Sequence, residues 1–159
     1  MPQPKQGNGP SMIGGFYEDG ESRVKPDLFD SKALEIANKL YKVSHNEYNG
    51  RDVINGVSGT QLRRIFDEVK RFEYLLQLDT TMWDIQLPYI KMIKSKVRYT
   101  IARSTRNLRN SDEIGCYKAL SDFLIEGIDS IQKQKDYEVF LALFEAVYGF
   151  YYEHAPNRS

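Results

Sequence analysis

The sequence predicts an all-α fold, a compact bundle of about five helices. Apolar residues recur at spacings of three and four residues along most of the chain, as they do on the buried face of a helix. No segment alternates apolar and polar residues convincingly enough to predict a strand. Because 41% of the 159 residues are hydrophobic, the chain can bury one sizeable core. We expect a single helical-bundle domain over residues 25–155.

Residues 1–24 are predicted to form a disordered tail. They are rich in glycine, proline, glutamine and serine and bury too little apolar surface to offset the entropy lost on ordering. Their only apolar cluster is Met12, Ile13, Phe16 and Tyr17. Docking of this cluster onto a partner is the less favoured alternative.

The first helix is predicted over residues 32–43, with Asp30 or Ser31 as its N-cap. Residues 44–57 are polar and contain two Asn-Gly turn signals, Asn49-Gly50 and Asn55-Gly56. We favour a loop there over a short hairpin. The second helix is predicted over residues 60–78, because Ser58 followed by Gln61 fits a capping box. Its apolar stripe consists of Leu62, Ile65, Phe66, Val69, Phe72 and Leu76.

Three further helices follow. The third has Thr80 or Thr81 as its start signal and must either begin near Leu87 or kink at Pro88. It carries the stripe Ile90, Ile93, Val97 and Ile101 and ends near residues 106–109. Ser111 or Asp112 is expected to cap the fourth, which buries Ile114, Tyr117, Leu120, Phe123, Leu124 and Ile128. The fifth, over residues 136–154, is dense in aromatic residues, which are Phe140, Phe144, Tyr148, Phe150, Tyr151 and Tyr152.

Enzymatic chemistry finds little support in the residues. There is no Gly-rich phosphate loop, metal-binding helix pattern or nucleophile elbow. Cys116 lies in an amphipathic helix, where a buried structural thiol is the usual role, and it is far along the chain from His45 and His154. No apolar run reaches the length of a membrane span, and no secretory signal is recognisable. We therefore expect a non-catalytic cytoplasmic protein without cofactor, metal or membrane contact.

Positive charge is concentrated in the third helix. Residues 85–111 contain no acidic residue, although the chain has 22 acidic and 22 basic residues. The seven bases of this segment are Lys91, Lys94, Lys96, Arg98, Arg103, Arg106 and Arg109. At about 100° per residue, Lys96, Arg103 and Arg106 fall on one flank of the apolar stripe, and Lys91, Lys94 and Arg98 fall on the other. Such a segment offers a local surface to a polyanion, unless it is simply a solvated helix face.

The helix over residues 60–78 adds to this surface. Arg63 and Lys70, like Arg64 and Arg71, repeat at seven-residue spacing on its exposed sides. The free N–H groups of residues 58–60 suit a phosphate. Packed against the third helix, this helix would form a track that contacts nucleic-acid backbone rather than base edges. Tyr99 is suited to stacking on a base, but packing between helices is the favoured assignment.

Three blocks together resemble the small-subunit family of type III-A CRISPR–Cas effectors, the Csm complexes. They are residues 58–64 (SGTQLRR), residues 93–103 (IKSKVRYTIAR) and residues 140–151 (FLALFEAVYGFY). The resemblance implies a non-catalytic antiviral-defence subunit that stacks in several copies along the backbone and large subunits. It also implies contact with guide RNA and single-stranded target RNA without sequence specificity. The implied RNA-binding residues are Thr60, Gln61, Arg63, Arg64, Lys94, Lys96, Arg98 and Arg103. Tyr99, Phe144 and Tyr148 match family positions too and are interpreted as packing residues.

A second hypothesis stays open. The less favoured alternative is a helical protein-interaction module whose basic helix docks an acidic protein and meets no RNA.

Overall fold

The computed structural model describes residues 10–20 and 22–154. Within them the chain is mainly helical, which confirms the predicted fold class. The helices are α1 (Ala33–Ala37), α2 (Gly59–Leu78), α3 (Trp83–Thr105), α4 (Ser111–Asp129) and α5 (Gln134–His154). One antiparallel hairpin pairs β1 (Tyr41–His45) with β2 (Asp52–Gly56), in a register that sets Tyr41 opposite Gly56.

Helix α5 packs against α1, α2 and α4. Its Phe140 and Phe144 are fully buried and meet Phe123 of α4 at ring-centroid distances of 5.8 Å each. Two buried tyrosines of α5 find acceptors for their hydroxyls. Tyr137 donates to the Val69 carbonyl at 2.6 Å, and Tyr151 donates to the Val57 carbonyl at 2.5 Å. Because their polar atoms are paired, these large side chains stabilise the core at little desolvation cost.

The region of residues 32–56 differs from the prediction. The helix ends at Ala37, after a π-helical turn at Leu28–Lys32, and the chain then forms the hairpin where a loop was predicted. Gly50 has a φ of +68° in the connecting turn, and Gly56 has a φ of +151° at the end of β2. A Cβ on Gly56 would lie 2.4 Å from the Leu40 carbonyl oxygen. Glycine at position 56 therefore permits the close approach of β2 to Leu40 and Tyr41.

The starts of the later helices follow local side-chain caps. Ser58 accepts from the Gln61 N–H at 3.2 Å, as predicted, but the Gln61 side-chain oxygen has no hydrogen-bond partner among the described residues. Thr80–Met82 form a 3₁₀ turn that leads into α3 at Trp83, so Pro88 lies within the helix rather than at its start. Asn110 caps α4, replacing the predicted Ser111 or Asp112, because its side chain accepts from the N–H groups of residues 112 and 113.

The N-terminal segment packs against the bundle, although the folded domain was predicted to begin only at residue 25. Met12, Ile13 and Phe16 are buried, and the Phe16 ring stacks on Phe140 at a centroid distance of 6.4 Å. The prediction of a disordered tail is thus corrected over residues 10–20 and 22–24, while residues 1–9 and 21 lie outside the described residues. The physical reason is that the apolar cluster finds its docking site on its own chain.

The contact between α4 and α5 leaves no space for a side chain at Gly127. A Cβ there would lie 2.1 Å from Cε2 of Phe140, a ring that is itself fully buried. We expect Gly127→Ala to lower the free energy of unfolding by about 1–3 kcal/mol through overpacking, measured by urea denaturation.

Gly115 provides the matched control on the same helix, since a Cβ there meets nothing within 4 Å. Gly115→Ala should raise the free energy of unfolding by about 0.5–1 kcal/mol, because alanine favours the helix. Equal stability of the two variants would contradict the close approach of α4 and α5.

Candidate nucleic-acid interface

A groove of about 410 Å³ runs between α2 and α3. The two helices are joined at residues 79–82, and Lys96 of α3 pairs with Glu68 of α2 at 3.1 Å, so they run antiparallel. The groove is lined by Arg64, Ile65, Glu68, Ile93, Ser95, Lys96, Val97, Tyr99 and Thr100. Its floor is apolar because Ile65, Ile93 and Val97 belong to the core. Its sides carry cations, one aromatic ring and one carboxylate.

The two predicted flanks of α3 face different neighbours. Lys96 faces α2 through its pair with Glu68. On the other flank, Lys94 pairs with Asp129 of α4 at 2.5 Å. Arg98 borders a cleft of about 720 Å³ that α4 lines with three acidic residues, Asp122, Glu126 and Asp129. The helical geometry read from the sequence is therefore confirmed, and the α4-facing flank meets mainly negative charge.

Lys91 has a structural role. Its Nζ donates to the Ile128 carbonyl at 2.7 Å, near the end of α4, and this carbonyl also accepts from the N–H of Ile131 at 3.1 Å. Burial, followed by the nearby charge of Lys94, holds the pKa of Lys91 below its usual value. This base of the acid-free segment is thus turned inward and is not presented to a polyanion.

The eight residues predicted to bind RNA differ in their local partners. Three of them form ion pairs within the chain: Lys94 with Asp129, Lys96 with Glu68, and Arg63 with Asp67 at 3.6 Å. Three others, Arg64, Arg98 and Arg103, are exposed and have no hydrogen bond or ion pair with any residue that the structure describes. Among the eight, these three arginines are therefore the cations that no described carboxylate neutralises by direct pairing.

Thr60 and Gln61 lie in the first turn of α2, at one end of the groove. Thr60 is exposed and Gln61 is half-buried. The antiparallel alignment places Arg103, about two turns beyond Lys96, at the same level. The N–H of Ser58 donates to the Tyr117 hydroxyl at 3.3 Å, so it is occupied, contrary to expectation. Within the described chain, the N–H groups of Gly59 and Thr60 have no partner outside the helix.

The three residues interpreted as packing residues separate in the structure. Phe144 is fully buried, and Tyr148 stacks on Phe66 at 5.4 Å, which confirms their packing roles. Tyr99 does not pack between helices, because 66% of it is exposed. Its position two residues after the core residue Val97 turns it about 200° away from the buried stripe, a signal that was present in the sequence.

Sequence reasoning also missed an exposed apolar run on α3. Ile85, Tyr89 and Met92 are 58%, 52% and 44% exposed. Their spacing of four and three residues aligns them with Lys96, Tyr99 and Arg103 on a single helix face. This face changes from apolar near the α2–α3 connection to cationic and aromatic at the far end of α3.

Other kinds of site have little basis in the described residues. No group of three or more potential metal ligands occurs among them. Cys116 is 1% exposed, and burial raises the pKa of its thiol, which favours the unreactive neutral form. None of the helices in the described part of the chain has the length and apolar character needed to cross a bilayer.

Comparison with known families agrees with the three sequence blocks. The profile of the family described as Csm2 Type III-A matches residues 31–156. Comparison with curated proteins and with solved structures gives no match. The match covers α1–α5, the hairpin and the groove between α2 and α3. The chain therefore belongs to the Csm2 Type III-A family, a small subunit of the type III-A CRISPR Csm complex.

Proposed function

We propose that this subunit is non-catalytic and holds the backbone of guide and target RNA on the face formed by α2 and α3. The observation that carries the proposal is the groove, where Arg64 and Lys96 meet over an apolar floor and Arg103 extends the same cationic face. Flexible cations on the edges of a groove attract phosphates and are poorly suited to distinguishing base edges. Sequence would be read by pairing between the two RNA strands, and the subunit would supply charge.

We rank the proposed contacts by the charges that surround them. Arg64 and Lys96 line the groove, and Arg103 lies on the same face of α3 as Lys96. Thr60 and Gln61 lie about one turn before Arg64 on α2. Lys94 and Arg98 face the acidic side of α4, where phosphate would be repelled. Arg63 is exposed but partly neutralised by Asp67. We expect the first group to dominate and the other three to contribute weakly.

We propose that several copies stack beside the backbone and large subunits, in the cytoplasm and without membrane contact, so that their grooves form a continuous cationic path. Each groove alone contacts few phosphates, and affinity then grows with the number of linked copies. The assembled complex is therefore the fairer sample for binding measurements.

A salt titration tests the proposal. Three phosphate contacts on single-stranded RNA predict a slope near −2 in a plot of log affinity against log salt. Affinity of the free subunit should then fall by about 20-fold between about 50 and 200 mM salt. Binding that does not depend on salt would contradict the phosphate track. Copurification with an acidic protein and without nucleic acid would favour the alternative, a protein-interaction module.

Glu68 supplies a sharper prediction, because it is the carboxylate of the groove and neutralises Lys96 at 3.1 Å. We expect Glu68→Gln to raise RNA affinity about two- to five-fold at low salt, since Lys96 is freed and a repulsive charge is removed. The free energy of unfolding should fall by less than about 1 kcal/mol, because the pair is partly exposed.

The matched control is Glu145→Gln, which makes the same change in net charge at an exposed position of α5. It should leave RNA affinity nearly unchanged. If both variants bind RNA equally, net charge rather than the groove governs binding.

A further inference from the structure

Tyr99 is an aromatic side chain that the fold leaves outside the core. It is 66% exposed, and its hydroxyl has no hydrogen-bond partner among the described residues. It lines the α2–α3 groove with Arg64, Lys96 and Thr100. Among the described residues that line the groove it is the only aromatic one. Neither packing nor hydrogen bonding within the chain accounts for its ring at this position.

The neighbours of Tyr99 on α3 are cations. Lys96 precedes it by three residues and Arg103 follows it by four, so all three lie on one helix face. The two cations are separated by about 10 Å along the axis, with the ring between them. A nucleotide whose base lies on the ring would direct its flanking phosphates toward a cation on either side. Two other exposed tyrosines of the described chain, Tyr48 and Tyr152, do not line the α2–α3 groove.

We propose that Tyr99 is a stacking platform for one unpaired base of RNA held in the groove. This inference rests on the proposed RNA-binding function and adds a contact to the base face. Every base has a π-face, so stacking adds affinity without sequence readout and suits a sequence-independent subunit. A base within a duplex already stacks on its neighbours, and the ligand is therefore an unpaired nucleotide in a single-stranded or locally opened segment.

The test compares two RNAs on three versions of the full chain. The probes are an unstructured oligomer of alternating cytidine and adenosine, about 12 nucleotides long, and an abasic ribose-phosphate oligomer of equal length. The versions are wild type, Tyr99→Phe and Tyr99→Leu, because phenylalanine keeps the π-face and leucine keeps only apolar volume. Wild type and Tyr99→Phe should bind the base-containing oligomer at least about five-fold more tightly than Tyr99→Leu does. All three should bind the abasic oligomer equally.

The outcomes separate stacking from the phosphate track. If Lys96→Ala with Arg103→Ala weakens binding of both oligomers while Tyr99→Leu weakens neither, stacking is overturned and the track stands. If the cation variant weakens neither oligomer, the proposed function itself fails. Equal losses on both oligomers for Tyr99→Leu would assign the ring to positioning the cations. If Tyr99→Leu impairs assembly of the complex and leaves RNA affinity unchanged, the ring contacts a neighbouring protein subunit. Each of these last two results would overturn the proposal. Since Tyr99 is exposed, Tyr99→Leu should melt within a few degrees of wild type.

Discussion

The paired substitution Lys96→Ala with Arg103→Ala is expected to weaken single-stranded RNA binding by about ten- to hundred-fold at low salt. Two charge-assisted phosphate contacts are lost together from one face of α3. The slope of log affinity against log salt should become shallower by about 1.4, which corresponds to two phosphates on a single strand. Helical content and melting temperature should stay nearly unchanged. Arg103 has no partner among the described residues, and Lys96 has only the partly exposed Glu68.

A control with the same change in net charge is Lys42→Ala with Lys118→Ala. Both lysines are exposed, on β1 and α4, and neither lines the groove. This variant should lose less than about two-fold in RNA affinity at physiological salt, because distant exposed charges are screened. Similar losses in the two double variants would show that overall charge, rather than the α2–α3 face, attracts the RNA. Loss of helical content in the first variant would show that its side chains are structural.

Asp136→Ala is expected to have the largest effect on stability, lowering the free energy of unfolding by about 2–4 kcal/mol. The carboxylate is 5% exposed and accepts from the Tyr17 hydroxyl at 2.6 Å. It also accepts from the N–H groups of Gln132 and Lys133, at 3.0 and 3.1 Å. The side chain thus accepts from the backbone just before α5 and also binds the N-terminal segment through Tyr17. Removing it leaves three donors without an acceptor.

The same contacts predict that the contribution of Asp136 to the free energy of unfolding depends on pH. Burial opposes ionisation of Asp136, but the hydrogen bonds from Tyr17 and the two backbone N–H groups outweigh it, and its pKa lies below the usual value. A carboxyl whose pKa is lowered by folding stabilises the native state above its unfolded pKa, near 3.9. This stabilisation is lost as the pH falls through the folded pKa. The stability difference between wild type and Asp136→Ala should therefore be largest near pH 7 and shrink below about pH 4.

Glu138→Ala is the control for this effect, because Glu138 lies on the same helix but is exposed. It should change the free energy of unfolding by less than about 0.5 kcal/mol. Urea titrations at pH 7 and pH 3 would compare the variants. If Asp136→Ala is no less stable than Glu138→Ala at pH 7, the N-terminal segment is not fastened through this carboxylate.

The long helices could be predicted because each buries one periodic stripe. Leu62, Val69 and Phe72 of α2 recur at helical spacing, and all three are buried. The hairpin could not be predicted in the same way. Its five-residue strands are mostly exposed, so they show no alternation, and the pairing depends on the close approach of Gly56 to Leu40. An Asn-Gly turn signal predicts that the chain reverses direction, but it does not predict that the flanking segments pair as strands.

The N-terminal segment shows a second limit. Ile13 donates its N–H to Glu126, 113 residues away, at 2.6 Å, and Tyr17 reaches Asp136, 119 residues away. Contacts so distant in sequence leave no local pattern, and composition alone favoured disorder. Their energy comes from burial of Met12, Ile13 and Phe16 against an existing core, which only the folded chain provides.

The candidate interface was partly predictable. Helical angles separated the bases of α3 into two flanks, and Lys96 and Lys94 do face different helices. Ion pairing could not be inferred, because Glu68 and Asp129 come from α2 and α4 and their distances depend on how the helices pack. Tertiary structure thus distinguishes Arg64 and Arg103, which pair with no residue that the structure describes, from bases that are neutralised or turned inward.

Photocrosslinking in the assembled complex can show directly whether the α2–α3 groove holds RNA. A benzoylphenylalanine replaces Ser95, an exposed groove residue outside the proposed contact set, or Tyr152, an exposed residue of α5. We expect the probe at Ser95 to crosslink to guide or target RNA and the probe at Tyr152 not to do so. Crosslinks from Ser95 to protein alone, or RNA crosslinks from Tyr152 instead, would contradict this expectation.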